Sequence, residues 1–236
     1  GSPLLLRLPT MENVNLESVD QMLDNYNGQE AYEALSKMER TSEVEWRLAN
    51  AIYILTNDIN DPKERRNKLT QGFELAKSAF EKDPTNAEAA KQAAILVGSL
   101  SESASNTLEQ MKLGAQFKKY LDLTMDLDPE PDMVVLHMRG RFSFKVASLG
   151  FLERTMACKV LKSLPPCTYD DALKDLLAAE KIFPALDTLL FIGKAYLGKG
   201  ETDKAREYLK RVAEEEGVDA VDEETINDAK KLLEDL

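Results

Sequence analysis

A single histidine limits the chemistry that this sequence could perform. Enzymes that use a histidine base or a histidine-bound metal place that side chain beside a nucleophile or among several further ligands. His137 is the one histidine in 236 residues, so a histidine cluster is excluded. The acidic residues fall mostly on the polar faces of helical patterns, where solvated surface is the simplest interpretation. We therefore predict no catalytic residue and a non-enzymatic protein, with an enzyme that uses only Asp, Glu or Lys as the alternative.

Two further motifs suggest metal or nucleotide chemistry, but packing explains both better. Cys158 and Cys167 lie nine residues apart, whereas zinc sites usually combine a close pair with two further ligands. The sequence of residues 193–200 is similar to that of a phosphate-binding P-loop. Gly200, however, replaces the Ser or Thr that would hold magnesium, and no strand pattern precedes these residues. Helix packing and a turn already explain these glycines. We predict no metal site and no cofactor.

A basic segment inside an acidic chain is the clearest indication of a binding surface. The chain has 30 Lys and Arg against 42 Asp and Glu, a net charge of −12, and we expect no nucleic-acid partner. Residues 137–168 nevertheless contain one acidic side chain, Glu153, and several basic ones. The basic residues are Arg139, Arg141, Lys145, Arg154, Lys159 and Lys162. Such asymmetry can orient a charged partner by long-range steering; scattered solvated charges are the alternative interpretation.

The elements that must position these residues have helical periodicity. Apolar residues recur at helical spacing almost throughout, and alternating strand patterns are nearly absent. Residues 43–55, for example, follow Ser42, which can cap a helix, and carry Trp46 and Tyr53 on one side. Prolines end three later amphipathic patterns, because proline lacks the N–H and clashes with the preceding turn. We predict an all-α fold.

Internal repeats indicate a solenoid. Residues 186–219 match the 34-residue tetratricopeptide pattern, with small residues at Gly193 and Ala205 where two helices approach each other. Three earlier repeats each end at a proline and contain roughly 10 to 20 extra residues. We predict a tetratricopeptide-like α-solenoid of about eleven helices, in which irregular long repeats precede one regular repeat near the C-terminus.

The same patterns predict the domain organisation. We expect one helical repeat domain over residues 11–236, closed by a capping helix at residues 222–236, and interpret residues 1–10 as a cloning scar and disordered leader. The longest apolar stretches are far shorter than the roughly 20 residues that a membrane span needs, so we predict no integral membrane segment. Two cysteines and no signal-peptide pattern favour the cytoplasm.

The concave side of such a solenoid is the expected binding surface, because the first helix of each repeat faces it. The predicted partner-binding residues of this groove are Arg47, His137, Arg141, Phe144, Lys145 and Lys194. The predicted apolar lining consists of Ala90, Ala94 and Val97. An apolar groove with a basic centre fits an acidic peptide or an anionic phospholipid with a buried acyl chain. Burial of the apolar positions by the extra helices is the alternative.

Two segments resemble the signature of the regulator of microtubule dynamics family. Residues 138–154 contain a Gly-Arg-aromatic step at Gly140–Phe142 and the pattern Val-x-x-Leu-x-x-Leu-Glu at Val146–Glu153. Residues 169–184 contain the sequence Asp-Ala-Leu at Asp171–Leu173. The resemblance extends over most of the chain, and its middle motif is more specific than a general tetratricopeptide match.

This resemblance implies a non-enzymatic, microtubule-associated protein that affects microtubule dynamics and chromosome segregation. The implied location is the cytoplasm and cytoskeleton, at spindle microtubules and spindle poles. A membrane-anchored relative of the family acts at contacts between endoplasmic reticulum and mitochondria, and its repeat domain binds phospholipid. A phospholipid-binding or transfer module is therefore the alternative function, and the lack of an anchor in this sequence favours the spindle-type member.

The microtubule surface is acidic, and so is this chain, so binding requires a local basic surface. Residues 137–168 are the first candidate for it. A second group of basic residues, Lys63, Arg65, Arg66 and Lys68, belongs with them. Steering by exposed charges would be sensitive to salt, because such charges are screened beyond roughly 8–10 Å at physiological ionic strength.

Overall fold

The structure, a computed structural model, describes residues 15–161 and 164–236. Within these residues the chain forms twelve α-helices and no β-strand, which confirms the all-α prediction. The helices are α1 Leu16–Asp24, α2 Gly28–Leu35, α3 Ser42–Thr56, α4 Pro62–Lys82, α5 Ala87–Glu102, α6 Thr107–Leu127, α7 Met133–Ala147, α8 Phe151–Leu161, α9 Tyr169–Ile182, α10 Leu186–Gly198, α11 Thr202–Ala213 and α12 Ala220–Glu234. The predicted leader, residues 1–10, and Lys162 lie outside the described residues.

The described chain has one helix more than predicted from the sequence. The additional helix is α8, which occupies the insertion between α7 and α9 and packs against α6. α7 meanwhile pairs with α9 as the two helices of one repeat. The insertion therefore forms a separate helix outside the regular pairing.

Side-chain caps set the beginning of most helices. Thr41, rather than the predicted Ser42, caps α3, because its hydroxyl accepts a hydrogen bond from the Val44 N–H at 3.3 Å. Thr168 caps α9 in a reciprocal arrangement with Asp171. Such caps satisfy backbone N–H groups that have no partner within the helix.

Close packing between paired helices depends on small residues at the crossing points. A Cβ atom on Gly140 in α7 would lie 2.5 Å from Cγ of Leu176 in α9, and one on Gly193 in α10 would lie 2.9 Å from the side chain of Leu209 in α11. The turn between α10 and α11 contains Gly200 at φ +77°, a backbone conformation that glycine adopts without strain. The regular repeat thus has the close packing and the turn that its sequence predicts.

The helices stack in order and share three main apolar cores. One core joins α1 to α3, the second joins α3 to α7, and the third joins α9 to α12. The array curves far enough for its last helix to contact α4, since Arg65 in α4 donates to both carboxylate oxygens of Glu224 in α12 at 3.0 Å. This curvature forms the concave side on which the candidate site lies.

Candidate functional site

A cavity of about 950 Å³ occupies the concave side, a volume typical of small-molecule sites. Its walls come from the second half of α1, from α3, α5 and α7, from the first half of α6, from α8 and from the start of α10. The cavity has an apolar part and a polar part.

The apolar part lies where α5, α6 and α7 meet. Ile95, Met111, Phe117, Phe142 and Val146 line it, and the rings of Phe117 and Phe142 are 6.2 Å apart between centroids. The first half of α6 packs beside the second half of α5, where the Ser101 hydroxyl donates to the Gln110 carbonyl at 3.2 Å. Side chains of α6 that do not face α5 directly therefore reach this wall of the cavity.

Gly114 opens additional space in the same wall. It lies in α6, lines the cavity, and a Cβ atom placed on it would have no atom within 4 Å. The volume in front of Gly114 is therefore free for a ligand.

The polar part is organised around His137 in α7. Its Nδ1 lies 2.8 Å from the Thr188 hydroxyl, and its Nε2 lies 3.1 Å from Oδ2 of Asp187. Because a carboxylate only accepts hydrogen bonds, Nε2 carries the proton and Nδ1 accepts from Thr188 in the neutral ring. This order of hydroxyl, imidazole and carboxylate occurs in hydrolases, but Thr188 is fully buried. Its oxygen offers no accessible face to a substrate, so the arrangement positions helices.

Arg141 lies between two carboxylates at the cavity wall. Its Nη1 donates to Asp187 at 2.8 Å, and Nη2 pairs with Glu102 at the end of α5. The guanidinium also lies 4.4 Å from the ring centroid of Phe191. Burial alone would raise the pKa of Asp187, but the positive charge of Arg141 and the hydrogen bond from His137 outweigh it and hold that pKa below its ordinary value.

Lys145, one turn after Arg141, has no hydrogen-bond or ion-pair partner for its ammonium group within the described residues. It lines the cavity, and part of its surface is open to solvent. The cavity walls shield the rest from water, and this partial desolvation, together with the positive charges of Arg141 and Lys194, lowers the pKa of Lys145. Lys91 also lines the cavity, but it pairs with Glu88 at 2.7 Å and Asp132 at 2.9 Å. The ammonium group of Lys145 is thus available to an anionic ligand.

Gln92 supplies a second unused polar group. Its side chain is buried and lines the cavity, and its Oε1 atom has no hydrogen-bond partner. A buried polar atom without a partner is rare in folded proteins. A donor on a bound ligand would satisfy it.

Three of the predicted groove residues line the cavity and three do not. His137, Arg141 and Lys145 line it. Arg47 is buried against Trp46 and bonds Asp20 at 2.6 and 2.8 Å, so its role is structural. Phe144 and Lys194, predicted in the same groove, do not line the cavity and turn toward the C-terminal core.

Phe144 packs against Tyr169 and Phe191, with ring centroids 5.8 and 5.4 Å away. Lys194 pairs with Asp228 in α12 at 3.1 Å. Both residues stabilise contacts between repeats, and neither is on the cavity wall.

The residues that line the cavity from α5 lie one position after each residue of the predicted apolar lining. Ala90, Ala94 and Val97 are each 0% exposed and pack into the helix interfaces of α5. The residues of α5 that do line the cavity follow them directly and include Lys91, Ile95 and Gly98. Each step of one residue along an α-helix changes the direction of the side chain around the helix axis by roughly 100°. The alanines allow neighbouring helices to approach closely, which explains why this face is buried.

The basic segment does not form one surface. Arg139 faces α9 and pairs with Asp175 at 2.6 and 3.0 Å, on another side of α7 from Arg141. Arg154 donates to the Val146 carbonyl at 2.9 Å. Lys159 is exposed on α8. Most of the predicted positive charge is therefore neutralised or directed elsewhere.

In the described part of the chain, no helix is both long enough and apolar enough to cross a membrane. The same residues contain no group of His, Cys, Asp and Glu side chains arranged to hold a metal ion. Cys158 is exposed and both cysteines are free.

Stacked helix pairs around a concave cavity define a tetratricopeptide-like helical repeat protein. The crystal structure of a thermophilic TPR protein in Thermus thermophilus has the same fold, with a TM-score of 0.57 and 14% identity over 92% of this chain and 97% of that one. Residues 15–236 match the family described as Regulator of microtubule dynamics protein 1-3. The chain belongs to this family, as its sequence motifs indicated.

Individual relatives support the same membership. Regulator of microtubule dynamics protein 1 of Caenorhabditis elegans is 32% identical over 83% of this chain and 86% of its own length. Regulator of microtubule dynamics protein 3 of Xenopus laevis is 30% identical over 80% of this chain and 41% of its own length. Protein 2 of Rattus norvegicus is 26% identical over 95% of this chain and 56% of its own length. The chain thus spans most of the nematode relative and about half of these two vertebrate relatives.

Proposed function

We propose that this chain is a non-enzymatic, microtubule-associated protein that regulates microtubule dynamics and acts at the spindle in chromosome segregation. The proposed location is the cytoplasm and cytoskeleton, at spindle microtubules and spindle poles. The observation that carries the proposal is membership, over residues 15–236, in a family described by regulation of microtubule dynamics. The fold adds a reason for an interaction role, since helical repeats commonly bind partners on their concave surface.

The acidic tails of tubulin are the proposed ligand on the microtubule. The chain itself is acidic, with a net charge of −12, so binding needs a positive group that is not already paired. With respect to the described residues, Lys145 meets this requirement inside the cavity, and Lys159 meets it on α8. Arg65 and Arg66 are less suitable, because they pair with Glu224 and Glu109.

Cosedimentation with microtubules tests this proposal. Lys145→Glu should weaken binding on the order of tenfold, because it reverses the charge that an acidic tail would contact. Lys181→Glu makes the same charge change on the exposed surface of α9, away from the cavity, and should bind as the wild type does. Equal binding by the two variants would remove Lys145 from the microtubule contact. No binding by the wild-type chain would contradict the proposed function itself.

We propose phospholipid binding as the second candidate function, on the strength of the apolar cavity wall beside an available ammonium group. Acyl chains would lie against Ile95, Phe117 and Phe142, and the headgroup phosphate would contact Lys145. Arg141 already pairs with Glu102 and Asp187, which makes Lys145 the better phosphate ligand. An apolar pocket with a few placed polar groups is the usual form of a small-molecule site.

Native mass spectrometry of the purified chain distinguishes this candidate from the first. A bound phospholipid should raise the mass of the wild-type chain, and Lys145→Glu should reduce the bound fraction of anionic lipid. A chain that stays at its apo mass after incubation with phospholipid would exclude the candidate.

A further inference from the structure

The outer face of α8 carries exposed apolar side chains that neither candidate function uses. Phe151 is 85% exposed, Leu152 is 75% exposed and Met156 is 41% exposed. Leu152 and Met156 are four residues apart and lie on the same face of the helix. Single exposed apolar residues are ordinary, but a contiguous group on one short helix marks an interaction site.

α8 is a thin wall between this apolar face and the cavity. Ala157 is buried and lines the cavity, as does Glu153. The Glu153 carboxylate also accepts a hydrogen bond from the Gly150 N–H at 2.9 Å at the start of the helix. The apolar face of α8 is therefore directed outward, opposite to the usual arrangement in a soluble helix.

The chemistry of the outer face favours lipid over a protein partner. Thr155 lies among the apolar residues, but its hydroxyl already donates to the Phe151 carbonyl at 2.9 Å. Protein interfaces surround their apolar centre with a rim of several polar groups that hydrogen-bond to the partner, whereas this face carries one charged donor, the Lys159 ammonium group at its end. Lys159 is exposed one turn after Thr155. Aromatic and aliphatic side chains followed by a lysine are typical of helices that lie in a membrane interface.

We propose that the outer face of α8, defined by Phe151, Leu152, Met156 and Lys159, docks on the surface of a phospholipid bilayer. Phe151, Leu152 and Met156 enter the boundary between headgroups and acyl chains, and the Lys159 ammonium group stays at the phosphate level. Docking in this orientation puts the bilayer next to the cavity wall. The inference rests on the phospholipid-binding candidate, because that candidate explains why a cavity would be brought to a membrane.

Vesicle cosedimentation with the full chain tests this surface. The probes are vesicles of phosphatidylcholine alone and of phosphatidylcholine mixed with phosphatidylserine. The double variant Phe151→Ser, Leu152→Ser should bind both kinds of vesicle on the order of tenfold more weakly than the wild type, because it removes two side chains from the bilayer interface. Lys159→Glu should reduce binding mainly to the vesicles that contain phosphatidylserine.

A second exposed apolar pair supplies the matched control. Ile182 and Phe183 are 61% and 60% exposed at the end of α9 and do not line the cavity. The double variant Ile182→Ser, Phe183→Ser should bind vesicles as the wild type does. Thermal unfolding of both double variants checks that they fold, which is expected because all four side chains are largely exposed.

Several outcomes would overturn the proposal. These are a wild-type chain that binds neither vesicle, an α8 variant that binds as well as the wild type, and equal losses in the α8 and α9 variants. An α8 variant that loses microtubule binding and keeps vesicle binding would make this face a protein contact. Native mass spectrometry distinguishes docking of α8 on a bilayer from lipid binding in the cavity. The α8 variant should keep the phospholipid bound in its cavity although its binding to vesicles is weakened.

Discussion

His137 in α7 and Asp187 in α10 face each other at the cavity wall, with Nε2 of the imidazole 3.1 Å from Oδ2 of the carboxylate. The two residues come from different repeats, and Arg141 binds the same carboxylate oxygen at 2.8 Å. One aspartate thus holds two side chains of α7 against the start of α10. The geometry of the cavity therefore depends on the contact between Asp187 and these two side chains.

Asp187→Asn should reduce the free energy of unfolding by about 1–2 kcal/mol, because His137 and Arg141 both lose their anionic partner while the side chain keeps its size. Urea unfolding followed by circular dichroism measures the change. Asp228→Asn is the matched control, because it removes a carboxylate that pairs with Lys194 alone and is largely exposed. The control should change stability by less than about 0.5 kcal/mol. Equal losses in the two variants would show that the contacts of Asp187 are no stronger than a surface ion pair.

The same aspartate predicts a difference in acid stability. Arg141 and His137 hold the pKa of Asp187 below its ordinary value. A carboxylate with a lowered pKa stabilises the fold above its unfolded pKa, and this stability is lost as the pH falls through the lowered value. Wild type and Asp187→Asn should therefore differ most above about pH 4 and converge below it. Unfolding midpoints measured from neutral to strongly acidic pH would contradict this if the two curves stayed parallel.

Gly114→Leu should fill the apolar part of the cavity without damage to the fold. A Cβ atom at this position meets nothing within 4 Å, and leucine is a better helix former than glycine by roughly 0.5–1 kcal/mol. Native mass spectrometry should therefore show loss of bound phospholipid, while thermal unfolding shows equal or greater stability. Gly114→Ala is the control, since it gives the helix a similar benefit and leaves most of the cavity open. Full lipid binding by the leucine variant would place the acyl chains elsewhere.

Gly140→Ala should destabilise the pairing of α7 with α9. The added methyl group would lie 2.5 Å from Cγ of Leu176 and 3.1 Å from the Ala172 carbonyl oxygen. Overpacking of this kind costs about 1–3 kcal/mol, which exceeds the gain in helix propensity. Urea unfolding should place Gly140→Ala below the wild type and Gly114→Ala at or above it. A Gly140→Ala variant that is more stable than Gly114→Ala would mean that α7 and α9 can move apart to make room for the added methyl group.

The fold could be predicted because helical periodicity and proline stops are local properties of the chain. The regular repeat was identified from Gly193, Ala205 and Gly200, whose small size or backbone freedom the packing and the turn require. The register of α5 could not be predicted in this way. Alanines at positions 87, 89, 90, 93 and 94 cover more than one face of the helix. Packing against α4 and α6 together determines which of these faces is buried.

Helix geometry explains why the described residues of the basic segment do not form one surface. Arg139 and Arg141 are two residues apart, which separates their directions by roughly 200° around a helix. One therefore reaches Asp175 in α9, and the other reaches the cavity. The insertion that forms α8 was also missed, because its apolar residues face outward and do not form a stripe toward the core. Only the three-dimensional arrangement distinguishes Lys145, which has no partner within the described residues, from the basic residues that are already paired.

The cavity around Lys145 is the proposed binding site for the acidic tails of tubulin. The most direct measurement compares cosedimentation of the wild-type chain with intact microtubules and with microtubules whose acidic tails have been removed by limited proteolysis. We predict that removal of the tails weakens binding as much as Lys145→Glu does, and that the variant shows no further loss on the shortened microtubules. Undiminished binding to microtubules without tails would contradict the account.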